Sequence, residues 1–428
     1  MEYNKYSTYQ DTYSKWLPSI PKSWQYVRLG QFFSERNEKV SDKDYPPLSV
    51  TMNGIVPQLE TAAKTDAGDN RKKVCKGDFV INSRSDRKGS SGLSTLDGSV
   101  SLISIVLKPN GLDGAYIHHL LRSKWFQEEF YRFGKGIVDD LWSTKYSDMK
   151  SINIPIPSLN EQQAISTFLD RETTRIDALI EKKQRLIELL KEKRQAVITQ
   201  AVTKGLDPNV PMKDSGVEWL GEVPEHWDVT RLGWLASSLT YGFTNPMPTE
   251  DNGPKMLTAN DIGWGYVNYE AARSTSEQAY KRDLTDKSRP KKNDLLITKD
   301  GTLGRVALHD GSNACINQSV ALLRPISSMA HPKFLATALL ASVYQEKMIF
   351  DAGGTTIKHI YITRLAKMQV VMPPIGAQSH LVAQLAVVTK RLDSILNKTK
   401  SSIQLLKEHR SALITAAVTG QIDVRNLT

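Results

Sequence analysis

The sequence predicts two similar mixed α/β (α+β) domains joined by two long antiparallel coiled-coil helices, an internal repeat with pseudo-two-fold symmetry. A long helical pattern occurs twice, at residues 161–203 and 377–419, and the two copies align without a gap at a separation of 216 residues. The segments 16–30 and 219–233 also align, at a separation of 203 residues. Matches of this extent indicate a duplicated chain rather than two unrelated helices.

Residues 161–203 are predicted to form one helix, because strong helix formers fill the stretch and neither proline nor glycine interrupts it. Apolar residues recur at alternating steps of four and three, a period near 3.5 that calls for a partner helix. The second copy repeats even a polar interruption, since Arg194 recurs as Arg410. The seam residues are Leu169, Ile176, Ile180, Ile187, Leu190, Val197 and Ala201, then Leu385, Leu392, Leu396, Ile403, Leu406, Leu413 and Ala417.

A globular stretch with the same order of elements precedes each long helix. β-like runs at 45–51, 77–83 and 100–109 lead to a helix at 115–133 and a strand at 151–157. In the second half, runs at 293–308 and 319–325 lead to a helix at 331–350 and a strand at 368–374. The predicted divisions are 1–157 (first domain), 158–207 (first long helix), 208–373 (linker and second domain) and 374–428 (second long helix and tail). The tail matches the start of the linker, so we expect the end of the chain to meet its beginning.

Composition narrows the class of protein. The formal net charge of +10 favours an anionic partner. Two cysteines, Cys75 and Cys315, lie in separate halves, which fits a reducing cytosol and predicts a cytoplasmic protein. No apolar run approaches the ~20 residues that a membrane span needs. No histidine or cysteine cluster has metal-ligand spacing, so we expect no metal site.

The sequence contains no nucleotide-phosphate loop of the GxxxxGK[ST] type and no GxGxxG after a strand. We therefore expect a non-catalytic chain. Two alternatives stay open. One is an enzyme, such as a self-sufficient methyltransferase or nuclease. The other is a coiled-coil scaffold with two protein-binding domains.

Polar, basic loops recur at matching places in the two halves. Arginine forks and lysines in such loops can contact phosphates or guanine edges, and glycines allow the backbone to approach a ligand closely. A solvated surface loop, or a tight turn without a ligand, is the alternative for each. The predicted DNA-binding residues are Arg84, Arg87, Lys88, Ser91, Lys135, Trp142, Lys145 and Tyr146 in the first half, and Asn260, Lys299, Thr302, Arg305, Thr355, Thr356 and Lys358 in the second.

Several of these stretches together resemble the specificity (S) subunit of type I restriction–modification systems. The residues that carry the resemblance are DSGVEWLGEVPEHWDVTRLG (214–233), IPIPSLNEQ (154–162), VMPPIGAQ (371–378), NDLLITKDGTLGR (293–305) and the helix ends ITQAVT and ITAAVT. The resemblance covers essentially the full length. Two departures are a weaker form of the linker pattern at 11–24 and Ala377-Gln378 where the family has Glu-Gln.

The resemblance implies that each domain is a target recognition domain reading one half of a bipartite site in double-stranded DNA. The long helices would set the spacer and dock two methyltransferase (M) subunits. Adenine methylation would use S-adenosylmethionine held by those partners. Restriction/translocase (R) subunits using ATP and Mg would join the complex. This chain itself is expected to bind no cofactor.

Overall fold

The computed structural model describes residues 3–58, 68–136, 142–354 and 358–427. The chain divides into two compact units: unit 1 comprises Met1–Gln184 with Lys400–Thr428, and unit 2 comprises Arg185–Thr399. The division passes through both long helices. Each unit therefore contains one segment from each long helix.

Unit 1 is built from short antiparallel strands and helices. The strands are β1 (Tyr9–Asp11), β2 (Ser19–Pro21), β3 (Gln25–Arg28), β4 (Phe33–Glu35), β5 (Lys39–Val40), β6 (Leu48–Thr51), β7 (Gly54–Pro57), β8 (Arg71–Val74), β9 (Phe79–Asn82), β10 (Ser91–Leu93), β11 (Gly98–Val100), β12 (Ser104–Pro109) and β13 (Asn153–Ile156). The helices are α1 (Gly114–Arg122), α2 (Lys124–Arg132), α3 (Tyr146–Met149) and α4 (Leu159–Thr203), which continues into unit 2. The main sheet has the order β10-β9-β12-β4 and a second sheet has the order β11-β8-β5; β1-β2, β3-β13 and β6-β7 form pairs.

Unit 2 has a similar set of elements. The strands are β14 (Met212–Asp214), β15 (Glu222–Pro224), β16 (Asp228–Arg231), β17 (Ala236–Tyr241), β18 (Glu250–Leu257), β19 (Arg273–Ser274), β20 (Leu295–Thr298), β21 (Val306–Leu308), β22 (Ala314–Ile316), β23 (Val320–Pro325) and β24 (Gln369–Met372). The helices are α5 (Glu277–Asp283), α6 (Pro332–Leu339), α7 (Ser342–Phe350), α8 (Ile362–Lys367) and α9 (Ile375–Val418), which continues into unit 1. The main sheet has the order β17-β23-β20-β21 and a second sheet has the order β19-β18-β22; β14-β15 and β16-β24 form pairs.

The two units share one framework, which confirms the predicted pair of similar mixed α/β domains. The strand order of the main sheet is β4-β12-β9-β10 in unit 1 and β17-β23-β20-β21 in unit 2, so strands at the same place in the two orders correspond. The second sheets differ, because β22 runs parallel to β18 whereas β5, β8 and β11 are antiparallel. The hairpin β6-β7 has no counterpart within the described residues of unit 2. The units therefore agree in their main sheet and differ beside it.

The single helices predicted at 115–133 and 331–350 are each two helices. Ser123 separates α1 from α2 with an extended ψ of 148°, and its hydroxyl accepts a hydrogen bond from the Phe126 backbone N–H. Ala341 separates α6 from α7 with a ψ of 146°. Apolar periodicity missed these breaks because both flanking helices bury their apolar faces in the same core.

Most of the predicted helical seam is buried, and its other residues, Ile180, Val197, Leu396 and Leu406, are half-buried. Residues 161–203 and 377–419 were predicted, and α4 and α9 occupy nearly those ranges. In unit 1 the carboxylate of Asp177 accepts hydrogen bonds from Arg410 Nε at 2.9 Å and Nη2 at 3.0 Å. In unit 2 the Arg194 Nε lies 2.9 Å from Asp393 Oδ1. Residues beyond Arg194 in α4 share the core with residues before Asp393 in α9, so the segments are antiparallel in that unit.

The end of the chain meets its beginning, as the sequence predicts. The Asp423 backbone N–H donates to the Asn4 carbonyl oxygen at 2.8 Å, and the Tyr9 hydroxyl donates to the Gly420 carbonyl oxygen at 3.0 Å. These contacts lie within unit 1.

A buried glutamine fixes the start of each long helix to its own domain. Gln162 donates through Nε2 to the Pro157 carbonyl oxygen at 3.0 Å, and its Oε1 accepts from the Asp113 backbone N–H at 2.9 Å. Gln378 makes the matching bonds with Pro373 and His331, at 2.9 and 2.7 Å. Each amide thereby joins the last strand, the helix that follows the main sheet and the long helix.

We expect Gln162→Leu and Gln378→Leu each to lower the free energy of unfolding by ~1–3 kcal/mol. Leucine has a similar volume but leaves a buried N–H and a buried carbonyl oxygen without a partner. Urea unfolding followed by circular dichroism measures the change.

The matched control is Gln163→Leu, because Gln163 is the exposed neighbour on the same helix. This control should change the free energy of unfolding by no more than ~0.5 kcal/mol. An equal loss for Gln162→Leu and Gln163→Leu would contradict the role assigned to the buried amide.

Candidate nucleic-acid interface

In unit 1 two predicted binding loops lie side by side. The first loop, 83–90, joins β9 to β10, and the second, 133–145, joins α2 to α3. The Thr144 backbone N–H donates to the Ser83 carbonyl oxygen at 3.0 Å, and the Ser85 N–H donates to the Trp142 carbonyl oxygen at 3.1 Å. The structure therefore brings Arg84, Lys135 and Lys145 to the same edge of the unit.

The second loop is closed by its own backbone and by one glycine. Lys135 and Ser143 exchange both backbone hydrogen bonds, at 3.0 and 3.2 Å. A Cβ atom at Gly134 would lie 2.0 Å from the Trp142 Nε1, so only glycine fits beneath the indole ring. The indole N–H donates to the Tyr131 carbonyl oxygen at 2.9 Å. Trp142 thus shapes the loop with its N–H group.

Unit 2 repeats this arrangement. The Ile360 backbone N–H donates to the Lys299 carbonyl oxygen at 2.9 Å, and Gly353 and His359 exchange hydrogen bonds at 3.0 and 2.8 Å. Shifted by 216 residues, Ser83 and Thr144 correspond to Lys299 and Ile360. The same backbone contact therefore joins the basic loop to the glycine-rich loop in each unit.

A short turn adds Asn260 to the surface of unit 2. The turn Ala259–Asp261 is held by Ser319, whose hydroxyl accepts from the Ala259 N–H at 2.9 Å. The Ser319 carbonyl oxygen accepts from the Lys299 N–H at 2.9 Å. One serine thus connects the Asn260 turn with the basic loop, and the Asn260 side chain is exposed.

The basic side chains of these loops differ in whether they form an ion pair within the unit. Arg84, Lys145 and Lys358 are exposed and make no ion pair or side-chain hydrogen bond within the part of the chain that the structure describes. Lys88 pairs with Glu128 at 2.8 Å, and Lys135 pairs with Asp148 at 2.8 Å while its side chain is 79% exposed. Such exposed pairs are worth ~0–1 kcal/mol, so a phosphate can displace the carboxylates. Arg87 lies 3.5 Å from Asp86, and Thr302 is exposed at the tip of its loop.

Other predicted DNA-binding residues are buried or are bonded to neighbouring groups of the protein. Ser91 is 1% exposed within β10, so its hydroxyl does not reach the surface. The Tyr146 hydroxyl donates to the Phe33 carbonyl oxygen at 2.6 Å. Arg305 donates through Nη1 to the Ile262 carbonyl oxygen at 3.1 Å and its Nε is buried, which makes it a brace for the loop. Lys299 pairs with Asp300 at 3.0 Å.

Two of the predicted DNA-binding residues, Thr355 and Thr356, lie outside the residues that the structure describes.

The sequence analysis did not predict one part of the surface of unit 1, a cleft of about 650 Å³ beside Arg84. The hairpin β6-β7 forms one wall of this cleft. The signal in the sequence was the Asn53-Gly54 pair between two apolar runs, which is typical of a hairpin turn.

Helix α1 carries a partly buried histidine, His118, next to an arginine. The Arg122 Nη1 lies 2.9 Å from the His118 Nε2, and a guanidinium can only donate, so this nitrogen accepts. Burial, followed by the Arg122 charge, lowers the pKa of His118 to about 4. Burial also lowers the pKa of the neighbouring His119, which is bonded to Asp170 at 2.7 Å. Both imidazoles are therefore neutral at pH 7.

Comparison with known proteins identifies the class that this fold and these loops define. The family model described as the type I restriction modification DNA specificity domain matches residues 21–189 and 247–405. The chain belongs to this family, and the resemblance found in the sequence is confirmed.

Individual relatives agree with the family match. The chain is 21% identical over 427 residues to the MjaVIII specificity subunit of Methanocaldococcus jannaschii, covering 95% of each chain. It is 25% identical over 280 residues to the EcoBI specificity subunit of Escherichia coli, covering 63% of this chain and 58% of that one.

A solved structure on complex assembly and conformational transition of the type I R-M system contains a chain of the same fold. That chain is 17% identical, with a TM-score of 0.74 over 94% of this chain and 99% of the other. Among the helices that the structure describes, none is both long enough and apolar enough to cross a membrane.

We expect unit 1 to lose stability as the pH falls from about 6.5 towards 4. His118 titrates near 6.5 when unfolded, whereas its pKa in the folded chain is about 4. The unfolded state therefore takes up the proton first, so this contribution is fully present above pH 6.5 and is lost below it. Thermal unfolding measured between pH 7.5 and pH 4.5 tests this.

His118→Gln should reduce the pH dependence in that window, because the variant removes the titrating group. His226→Gln is the control, because the His226 side chain is exposed, and it should leave the dependence unchanged. An unchanged profile for His118→Gln would contradict the assignment.

Proposed function

We propose that this chain is the non-catalytic sequence reader of a type I restriction–modification complex. Each unit reads one half of a bipartite site in double-stranded DNA. The observation that carries the proposal is the duplicated contact between a basic loop and a glycine-rich loop. An exposed cation stands beside that contact in each unit, Arg84 in unit 1 and Lys358 in unit 2.

The chemistry of these loops suits duplex DNA. Exposed lysine and arginine side chains neutralise phosphates and release counterions, while arginine forks and asparagine amides can read base edges in the major groove. The backbone pairs that hold the described parts of these loops lower the entropy lost on binding. The net charge of +10 adds a general attraction to the polyanion.

The catalytic steps belong to partner subunits in this proposal. Two methyltransferase subunits bind S-adenosylmethionine and methylate adenine, and restriction/translocase subunits bring ATP and Mg. The chain binds none of these cofactors itself. The complex works in the cytoplasm, where its DNA target lies.

Exposed apolar residues on the long helices support two methyltransferase docking places. Unit 1 presents Leu179 of α4 and Leu405 of α9, which are 40% and 64% exposed. Unit 2 presents the matching residues Ile395 and Leu189, at 46% and 45%. Apolar groups repeated on a helix surface favour contact with a partner protein. Because the pair occurs once in each unit, two copies of one partner fit.

We expect Arg84→Ala to weaken binding of the target duplex by ~1–3 kcal/mol, confined to the half-site that unit 1 reads. Lys358→Ala should weaken binding similarly for all sequences and reduce the slope of log K against log salt by about 1. The target is first found by mapping methylated adenines in DNA from a host that carries this chain and its methyltransferase. Fluorescence anisotropy on that duplex then gives the affinities.

Lys213→Ala is the control, because Lys213 is an exposed cation on β14, outside both the loops and the long helices. It should leave target affinity within about twofold. Salt-independent binding, or a complex that ignores both loop substitutions, would support the scaffold alternative instead.

We expect Leu405→Glu in unit 1 and Leu189→Glu in unit 2 each to remove one methyltransferase subunit. A carboxylate at a contact that excludes water loses its hydration without gaining a partner. Native mass spectrometry should show the complex change from two methyltransferase copies to one, and the double variant should bind none.

Leu206→Glu controls for added charge, because Leu206 is 40% exposed in the linker and not on a long helix. The control should retain both copies. Full assembly of the double variant would argue against the helices as the docking surface.

A further inference from the structure

The cleft in unit 1 has two walls of different chemistry. One wall is the loop 83–90 with Arg84 and Arg87, and the other is the hairpin β6-β7, which contributes Ser49, Thr51 and Met52. Arg71 forms the floor, where its Nε donates to the Ser99 hydroxyl at 2.9 Å. The cleft of about 650 Å³ is thus positively charged on one side and carries an exposed hairpin on the other.

The hairpin is held firmly at its base. Leu48 and Ile55 are 7% and 8% exposed and belong to a core cluster with Val80 and Val106. A Cβ atom added to Gly92 in β10 would lie 2.9 Å from the Gly54 Cα, so the hairpin backbone rests directly on the main sheet. Thermal motion of the hairpin is therefore restrained at its base by the same packing that forms the core.

The tip of the hairpin is held as well. The Thr51 hydroxyl donates to the Gly54 carbonyl oxygen at 2.9 Å and accepts from the Asn53 N–H at 3.1 Å. Arg122 of α1 donates through Nη2 to the Met52 carbonyl oxygen. Gly54 has a φ of +113°, which allows the tight turn. These bonds fix the backbone of Met52 and Asn53 while both side chains stay exposed.

Such a ribbon has the dimensions of the DNA major groove. Two strands lie about 4.8 Å apart, and with side chains the ribbon fits a groove about 12 Å wide. Met52 is 67% exposed at the tip, so its side chain is free to contact a base in the groove. Asparagine can bind adenine through N6 and N7, and an apolar side chain can contact the thymine methyl group.

We propose that the tip of the β6-β7 hairpin reads an A·T pair in the half-site of unit 1. Asn53 binds the adenine edge in the major groove and Met52 contacts the thymine methyl group. Arg84 and Arg87 hold the adjacent backbone or a neighbouring guanine from the opposite wall. This inference rests on the proposed function, and it assigns a specificity element that unit 2 lacks in its described residues.

The test uses the full chain with its methyltransferase and duplexes that carry the mapped target. Replacing the thymines of the unit 1 half-site by uracil removes only their methyl groups. Wild-type binding should weaken about fourfold, the value expected for one buried methyl group. Met52→Ala should bind the thymine and uracil duplexes equally.

A second base replacement tests the contact between Asn53 and adenine. Replacing adenine by 7-deazaadenine removes the N7 acceptor and should weaken wild-type binding roughly tenfold, whereas Asn53→Ala should be insensitive to the change. The same base replacements in the half-site of unit 2 should affect the wild type, Met52→Ala and Asn53→Ala equally.

Met329→Ala is the matched control, because Met329 is 45% exposed in unit 2 and away from the cleft. It should keep the full response to uracil. Thermal unfolding shows whether each variant is folded, and the exposure of Met52 and Asn53 predicts that all are.

Three results would overturn the assignment. The mapped half-site of unit 1 contains no A·T pair; or Met52→Ala and Asn53→Ala keep the wild-type response to both base replacements; or both variants lose affinity equally for every sequence, which indicates phosphate contact. Failure of the proposed function looks different, because the wild-type complex would then have no bipartite target at all.

Discussion

The core of each unit depends on residues from both long helices. Leu169 of α4 and Ala417 of α9 are buried together in unit 1, and the equivalent residues Leu385 and Ala201 are buried together in unit 2. Burying one leucine contributes about 1.5–3 kcal/mol, and a domain is stable by only ~5–15 kcal/mol. Neither half of the sequence therefore completes a core with its own long helix alone. The helical pairing is a condition for both domains to fold.

This dependence explains which parts of the fold could be predicted from the sequence. The long helices, their seam and the duplication follow from a period that persists over many turns. The ion pairs could not be anticipated from Arg194 and Arg410 alone, because a polar residue in a seam has no partner until the register is known. Asp177 and Asp393 supply the partners, again 216 residues apart. Apolar periodicity does not reveal the breaks at Ser123 and Ala341, because the helices on both sides of each break pack against the same core.

The candidate site was predictable in outline and not in detail. Composition and glycine placement located both loops in each half, since exposed basic loops have a local signature. The backbone contact between Ser83 and Thr144 joins segments about 60 residues apart, which no local pattern specifies. Burial of Ser91 and bracing by Arg305 also depend on tertiary packing. Polar residue types alone cannot distinguish a side chain that meets a ligand from one that supports the loop.

The two units differ at positions that their shared framework does not fix. Asp78 and Asp294 occupy equivalent positions and are 3% and 2% exposed. Arg36, next to β4, binds Asp78 with its Nε 2.7 Å from Oδ2, whereas Arg324, within β23, binds Asp294 with its Nη2 2.7 Å from Oδ2. A buried carboxylate without a counter-ion is strongly destabilising, so a cation must be present, but either of two neighbouring strands can supply it.

The surfaces of the two units also differ where the shared framework does not fix them. Packing against the long helices restricts both units alike, while the region beside the main sheet carries a hairpin in unit 1 and a parallel strand in unit 2. Two readers built on one framework can therefore differ in the bases they select without any change in how each is held.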